Sequence, residues 1–456
     1  MNLRRTFTTP LFSSAHGIRL PRERLTGLIV AAVFLCGPSS ALAQTDPTPG
    51  GNAFDDDGLP RVIVGPTDRQ RDRLAIPSVA CKGAGKVCDS VNAQLARNFE
   101  LSTYFELLDN KTFIANMDTE NIAQTNWPDW FNVGSRFLVK GSITGSGAYD
   151  IELRFYNVLD KKVVPVKGQS HRGVTKSGVR SAVNAFINGV IESLTGKPGI
   201  FGSKIVYSVK SGLGTRAISM MEMDGDGRRG VVGGDSINMF PHFNPGGGVL
   251  FTSFRDGKPD LFVGKRKLTK DPWHYRGASF GPGGRLAASL SKGSGSDIYL
   301  LSGAGKVMKR LTNGQGQNVS PTWSPDGGQI AFVSDRAGGP QIYVMPAGGG
   351  GARRVTMAGS YNSTPHWGKS GLIAFASMTD GGSDIFTTDP AGGMSRITQD
   401  QGVNTDPCWS PNGQYIAFVS RRSGHGKRIW ISSADGRWQF PVSRKSGAYS
   451  TPRWGM

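Results

Sequence analysis

The sequence predicts an α+β multidomain protein: an N-terminal α/β domain followed by a six-bladed β-propeller closed by the C-terminal strand. Three observations predict it. A short segment ending in an aromatic, usually Pro-x-aromatic, recurs from Pro241 to Trp454. Glycine is abundant, at 64 of 456 residues, while charged residues are sparse at 19%. Ahead of Gly196, helical and strand periodicities are mixed.

Composition excludes several classes. Hydrophobic residues make up 38%, with 9 Trp and 23 Phe, which is enough for a core and rules out global disorder. The glycines follow no three-residue period, which excludes collagen, and helix formers do not dominate as a coiled coil requires. The length allows two to four domains.

Residues 1–43 read as a cleaved signal peptide. Arg4, Arg5, Arg19, Arg22 and Arg24 precede an apolar run from Leu25 to Cys36, and Ala41-Leu42-Ala43 supplies a small-residue cleavage site. The run is about a dozen residues, against roughly 20 for a spanning helix, and no later segment is longer, so no membrane span is expected. Cys36 follows Leu35 rather than a small residue, which argues against lipidation. Arg4-Arg5-Thr6-Phe7 leaves a twin-arginine route open beside the general secretory one. The leader removes five Arg and one Glu, lowering the net charge from +19 to +15. Outside the cytoplasm that charge suits anionic surfaces or acidic proteins rather than nucleic acid, with simple solubility as the bland alternative.

Residues 44–60, with Pro47, Pro49, Gly50, Gly51 and Asp55-Asp56-Asp57, have little to bury and read as a flexible tail. Residues 61–196 read as the α/β domain. Val91 to Leu101 has helical spacing, with Asp89 or Ser90 as a cap. Phe137 to Val139, Tyr149 to Tyr156 and Lys162 to Val166 read as strands, the last two joined by a turn near Asn157–Asp160. Val179 to Leu194 is a helix with Val183, Phe186, Val190, Ile191 and Leu194 on one face. In an oxidising compartment Cys81 and Cys88 are expected to pair, and Cys408 to be a buried small apolar residue.

Residues 197–456 read as the propeller. The repeating aromatics are Phe243, Phe280, Trp323, Trp367, Trp409 and Trp454, a period near 43. Turns such as Ser324-Pro325-Asp326-Gly327 follow, then second strands such as Ile330 to Ser334, third strands such as Gln341 to Val344, and short fourth strands such as Arg354-Val355-Thr356. The sixth aromatic strand, Tyr449 to Trp454, has no partners after it. Lys204 to Ser208, Ala217 to Met221 and Gly230 to Val232 have none before them. Pairing the two sets closes a ring of six and removes exposed edges.

Motifs for chemistry are weak. Gly277-Ala278-Ser279-Phe280-Gly281 fits a nucleophile-elbow string, but Ser279 stands where Thr322 and Cys408 stand in other repeats. Gly225 to Gly230 fits a glycine-rich phosphate string without a following helix, and Asp224 to Gly227 lacks the spacing of a calcium loop. The six histidines, His16, His171, His242, His274, His366 and His425, show no metal-ligand spacing. No catalytic residue, metal or cofactor is expected. The loops leading into each first strand, by contrast, form a polar set on one propeller face: Asn318 and Ser320, Asn362 and Ser363, Asn404 and Thr405, and Tyr449. Trp273, His274, Tyr275 and Arg276 form an interface-like exception. These are the candidate partner-binding residues.

In its repeats Pro321 to Val344 and Pro407 to Ser420, its junction Leu194-Thr195-Gly196 with Phe201 and Lys204 to Tyr207, and its order of domains, the chain resembles the TolB family of the Tol-Pal system of Gram-negative envelopes. The resemblance covers nearly the whole mature chain. It implies a periplasmic, non-catalytic adaptor that supports outer-membrane integrity and constriction at division. The propeller face would bind the peptidoglycan-associated lipoprotein Pal, with His274 to Gly277 and Asn318 to Ser320 matching the family's loops. Arg61-Val62-Ile63-Val64 matches the segment that engages TolA, here behind a longer acidic tail. The Cys81/Cys88 pair is not part of the family pattern. Other envelope proteins remain possible partners, and a monomer is expected. The competing classes are a propeller-type peptidase or lyase, and a general envelope or glycan-binding scaffold.

Overall fold

The structure, a computed structural model, describes residues 70–115, 120–293, 295–314, 316–399, 401–422 and 426–456. The leader, the tail, the segment Arg61–Val64 and His425 lie outside the described residues.

The first part is a mixed sheet with helices on its faces. Strands β1 (Asp72–Ala75), β2 (Ala80–Lys82), β3 (Phe105–Leu107), β4 (Phe137–Thr144), β5 (Ala148–Asn157), β6 (Lys162–Val164) and β7 (Ser170–Thr175) run in the order β3-β1-β4-β5-β6. β2 also pairs with β4, and β7 with β5. Alternation along β5 turns Tyr149, Ile151, Leu153 and Phe155 to one face. There they meet α1 (Lys86–Leu101) and α3 (Val179–Thr195) through Val91, Leu95, Phe99, Val183, Phe186 and Val190. Phe99 and Phe105 pack edge to face at 5.3 Å. The opposite face is covered by α2 (Trp127–Asn132), whose Trp130 joins Leu138 and Tyr156.

The helix expected from Val91 begins five residues earlier, at Lys86. Gly85 is its N-cap and there is no side-chain cap bond, so neither Asp89 nor Ser90 caps it. Cys88 lies in that first turn and is joined to Cys81 of β2 by a disulfide, with Cα atoms 6.3 Å apart. The short strands β1, β2, β3 and β7 and the helix α2 had no periodicity long enough to read. At the 157–160 turn, Asn157 Oδ1 accepts from the amides of Leu159 and Asp160.

From Lys204 on, every element is a strand apart from one short 3-10 turn. Strands β8 (Lys204–Gly212), β9 (Thr215–Glu222) and β10 (Arg229–Val232) form a four-stranded sheet with the C-terminal strand Tyr449–Gly455, which pairs antiparallel with β8. Three further four-stranded sheets begin at Asn238, His274 and Asn318. A sheet of eight strands begins at Asn362, and its two halves are linked by one parallel pairing, Ser383 with Val403. The fourth strands stop short of the expected Leu311-Thr312 and Ile397-Thr398. Thr312 and Thr398 instead bond back to Ile298 and Ile385 by side chain.

Each innermost strand has the same irregularity. Phe240, Ser320, Thr364, Asp406 and Thr451 adopt left-handed φ values of 47 to 55°, and Gly277 holds the equivalent place at 94°. The pairing register shifts there in all six strands. Five of the six residues precede a proline, which has no N–H to lose at a bulge. The bulge re-aims the side chains on either side of it.

One hydrophobic cluster runs from the first sheet into the propeller, joining Phe99 and Phe186 with Ile205, Tyr207, Tyr415, Tyr449 and Trp454. The N-terminal part is therefore packed against the strands where the array begins and ends. Tyr415 Oη donates to the Ser102 carbonyl at 2.7 Å across this contact.

Candidate functional site

The end of the propeller where the innermost strands begin, here termed the mouth face, was expected to carry a polar ring. The structure divides that ring into two classes of residue. Two positions before each left-handed residue stand Asn238, Tyr275, Asn318, Asn362, Asn404 and Tyr449, each 3% exposed or less. The expectation that Tyr275, Asn318, Asn362, Asn404 and Tyr449 present contacts to a partner is corrected: these side chains are consumed inside. Asn318 Nδ2 donates to Asp297 Oδ1 at 3.1 Å, Asn362 Nδ2 to Gln341 Oε1 at 2.6 Å, and Asn404 Nδ2 to Asp384 Oδ1 at 2.9 Å. In each case the acceptor lies within the first three residues of the third strand of the preceding unit, so the asparagine ties neighbouring units together. Tyr275 Oη donates to Asp271 and Tyr449 Oη to the Lys445 carbonyl. Burial works against the Asp297 carboxylate, yet hydrogen bonds from Thr312 and Arg310 hold it below the ordinary carboxylate value.

The other candidates reach solvent. His274 and Arg276 are exposed, and Trp273, Ser320, Ser363 and Thr405 are partly so. Large apolar side chains gather on the same face: Leu213 (96% exposed), Met357 (75%), Met378, Tyr361, Val403 and Phe254.

Sequence reasoning missed a set of cations on this face. Arg255, Lys292, Arg336 and Arg422 stand at the ends of second strands, over aromatic rings of their own sheets. The distances are 4.4 Å to Phe262, 3.4 Å to Trp273, 4.8 Å to Tyr343 and 4.1 Å to Trp430. The three arginines also donate from Nε to the serine two residues back, Ser253, Ser334 and Ser420. For the arginines the signal was present as Ser-x-Arg at Ser253, Ser334 and Ser420, near the ends of three of the second strands. Arg422 is lowered to about 10 by burial and remains charged at neutral pH. Arg216 secures the closure, donating to Ser450 Oγ at 2.6 Å and to the Ala448 carbonyl at 2.9 Å.

Two positions beyond each left-handed residue, His242, Ser279, Thr322, His366, Cys408 and Arg453 point towards the central channel. Five of these six, all but Cys408, line one small cavity of about 40 Å³. The backbone N–H groups of Trp367, Trp409 and Trp454 donate to Thr322 Oγ1, His366 Nδ1 and Cys408 Sγ of the preceding units. Cys408 lies 3.6 Å from His366 Nε2, a pairing that in other proteins activates a thiol. Here burial pushes the thiol up to about 11, and His366 Nδ1 is occupied as an acceptor, so the pair is not a thiolate and its base. Ser279 donates its hydroxyl to the Pro321 carbonyl, in keeping with its place in the repeat rather than at a nucleophile elbow. Among the described residues no cluster of His, Cys, Asp or Glu could hold a metal ion.

An α/β domain packed on a β-propeller that joins its last strand to its first defines a two-part propeller protein. Residues 191–456 match the family described as the TolB beta propeller domain, and residues 61–164 match the TolB amino-terminal domain. The chain belongs to the TolB family. It is 34% identical over 305 residues to the Tol-Pal system protein TolB of Desulfosudis oleivorans, covering 63% of this chain and 65% of that one. It is 28% identical to the Tol-Pal system protein TolB of Gluconobacter oxydans over 95% of both chains. The chain thus spans slightly under two thirds of the first of these relatives. The crystal structure of TolB from Acinetobacter baumannii superimposes with a TM-score of 0.71 at 24% identity, covering 84% of this chain and 96% of that one, a likeness of fold. No helix among the described residues is long and apolar enough to cross a membrane.

Proposed function

We propose that the protein is a periplasmic adaptor of the Tol-Pal system, exported by a signal peptide at residues 1–43, that docks a Pal-like lipoprotein on the mouth face of a six-bladed propeller. It is not an enzyme. The family supports this, and so does the arrangement around Cys408 and Ser279. In this reading residues 61–196 form the N-terminal domain and 197–456 the propeller, and Arg61-Val62-Ile63-Val64 engages TolA. Such a linkage would couple the inner-membrane complex to the outer membrane and support envelope integrity and constriction at division.

The observation that carries the docking reading is the presence of exposed apolar side chains and stacked cations at the strand ends of one face, the face that also carries His274 and Arg276. Aromatic, Met and Arg groups on one surface are the composition of a protein interface. The contact residues are then Trp273, His274, Arg276, Ser320, Ser363 and Thr405, with Tyr275, Asn318, Asn362, Asn404 and Tyr449 shaping the loops from within. Titration calorimetry with the soluble domain of the Pal-like lipoprotein tests this. Binding weakened about tenfold or more by His274→Ala is expected. Absence of binding, or indifference to that change and to Arg276→Ala, overturns the reading.

A further inference from the structure

The channel ring has one member without a partner of its own kind. Ser279, Thr322, His366 and Cys408 stitch one unit to the next, and His242 Nδ1 is 3.0 Å from the Phe243 carbonyl. Among the described residues the Arg453 side chain makes one hydrogen bond, from Nη1 to the adjacent Pro452 carbonyl at 2.8 Å. Among the described residues no carboxylate forms an ion pair with it. Asp406, on the neighbouring innermost strand, instead accepts from the Thr451 amide and acts electrostatically on Arg216.

The two imidazoles that line the cavity with Arg453, His242 and His366, are neutral. A proton on His366 Nδ1 would meet the Trp409 N–H head on, so that imidazole stays uncharged. Burial first, and then Arg453 and His242, depress its basicity. His242 is depressed in the same way, to about 4. A guanidinium with most of its five donors unused thus stands in a narrow, low-dielectric channel. There a positive charge concentrates counter-ions far more than on an open surface. Thr322 Oγ1 accepts from Trp367, leaving its own proton to donate. The adjoining cavity of about 40 Å³ is also lined by Arg276 and Ser320. It has room for roughly two or three water-sized groups and no more.

We propose that the central channel binds a small monovalent anion, a halide or a formate-sized carboxylate, held by the Arg453 guanidinium with the Thr322 hydroxyl. The anion supplies the charge that the ring lacks and braces the strand that closes the propeller, because Arg453 belongs to that strand.

Bromide reports the site directly. Crystals of the protein grown in gluconate and soaked in sodium bromide are expected to show an anomalous peak within hydrogen-bond distance of Arg453. Bromide confined to the outer surface overturns the proposal. In solution, replacing gluconate by chloride or formate at constant ionic strength is expected to raise the Tm saturably by about 2 °C. Arg453→Gln is expected to abolish that rise, and Arg453→Lys to retain part of it, which separates loss of the site from a folding defect. An equal response in wild type and Arg453→Gln overturns the proposal. The measurements need no partner protein, so their failure and the failure of the docking reading are distinguishable.

Discussion

Arg180 Nε lies 2.7 Å from Glu222 Oε2, joining α3 to the second strand of the propeller. The same guanidinium bonds Asp224, which is 3% exposed, and Asp226 at 3.3 Å, and Arg444 bonds Asp226 from the other side. Burial works against the charge on Arg180, but Asp224, Glu222 and Asp226 together raise its pKa. One side chain therefore carries much of the polar connection between the two parts of the chain.

Arg180→Ala leaves Asp224 enclosed without a cation. A loss of about 2 kcal/mol is expected, since removing one partner of a partly buried pair costs more than the pair contributes. Denaturant unfolding measures it, and limited proteolysis should cut faster near Gly196. An unchanged midpoint would mean that the latch is solvated and inert.

Acid should weaken the ring before it unfolds the rest. His242 has a folded pKa of about 4, and that of His366 is well below 6.5. Both are depressed relative to the unfolded chain, which therefore takes up protons first as pH falls. Stability is fully present above about 6.5 and declines towards 4, by about 1–3 kcal/mol for His242. Tm measured from pH 7 to 4 should show this slope, and His242→Gln should flatten it. A slope indifferent to both His242→Gln and His366→Gln would assign it to other groups.

The closing strand should be indispensable. Ending the chain at Ala448 removes the partner of β8 and the acceptor Ser450 of Arg216, exposing a long apolar edge. Aggregation on size-exclusion chromatography is expected. Arg216→Ala alone should cost only about 1–2 kcal/mol. A monomeric, cooperatively folded truncation would contradict the closure.

The stacked cations should govern association rate more than residence. Arg336→Glu and Arg255→Glu reverse charge on the mouth face, so binding to an acidic partner should slow about tenfold at low salt and converge with wild type at high salt. Stopped-flow measurement at two ionic strengths checks this. A change confined to the dissociation rate would place these side chains inside the contact instead.

Much of the propeller was legible because its short apolar strands repeat with a period near 43. Phe243, Trp323 and Trp409 mark equivalent strands by spacing alone, and the unpartnered strand at Tyr449 already implied its pairing with Lys204 to Ser208. Helix α3 was legible from its apolar face. Strands β1 to β3 were not, since three or four residues carry too little periodicity. The start of α1 was missed although Val87 stands four residues before Val91 on the same buried face.

At the mouth, the sequence by itself determined which loops gather on one face, and it marked His274 and Arg276 among them. Only the tertiary structure decided which polar residues there face outwards. The left-handed bulge at Ser320 and its equivalents breaks the two-residue alternation, so Asn318 turns into the neighbouring unit while Thr322 turns into the channel. The placement of the cations over aromatic rings, and the meeting of Arg180 with Glu222 across a sequence separation of 42, likewise depend on chain packing that no local pattern encodes.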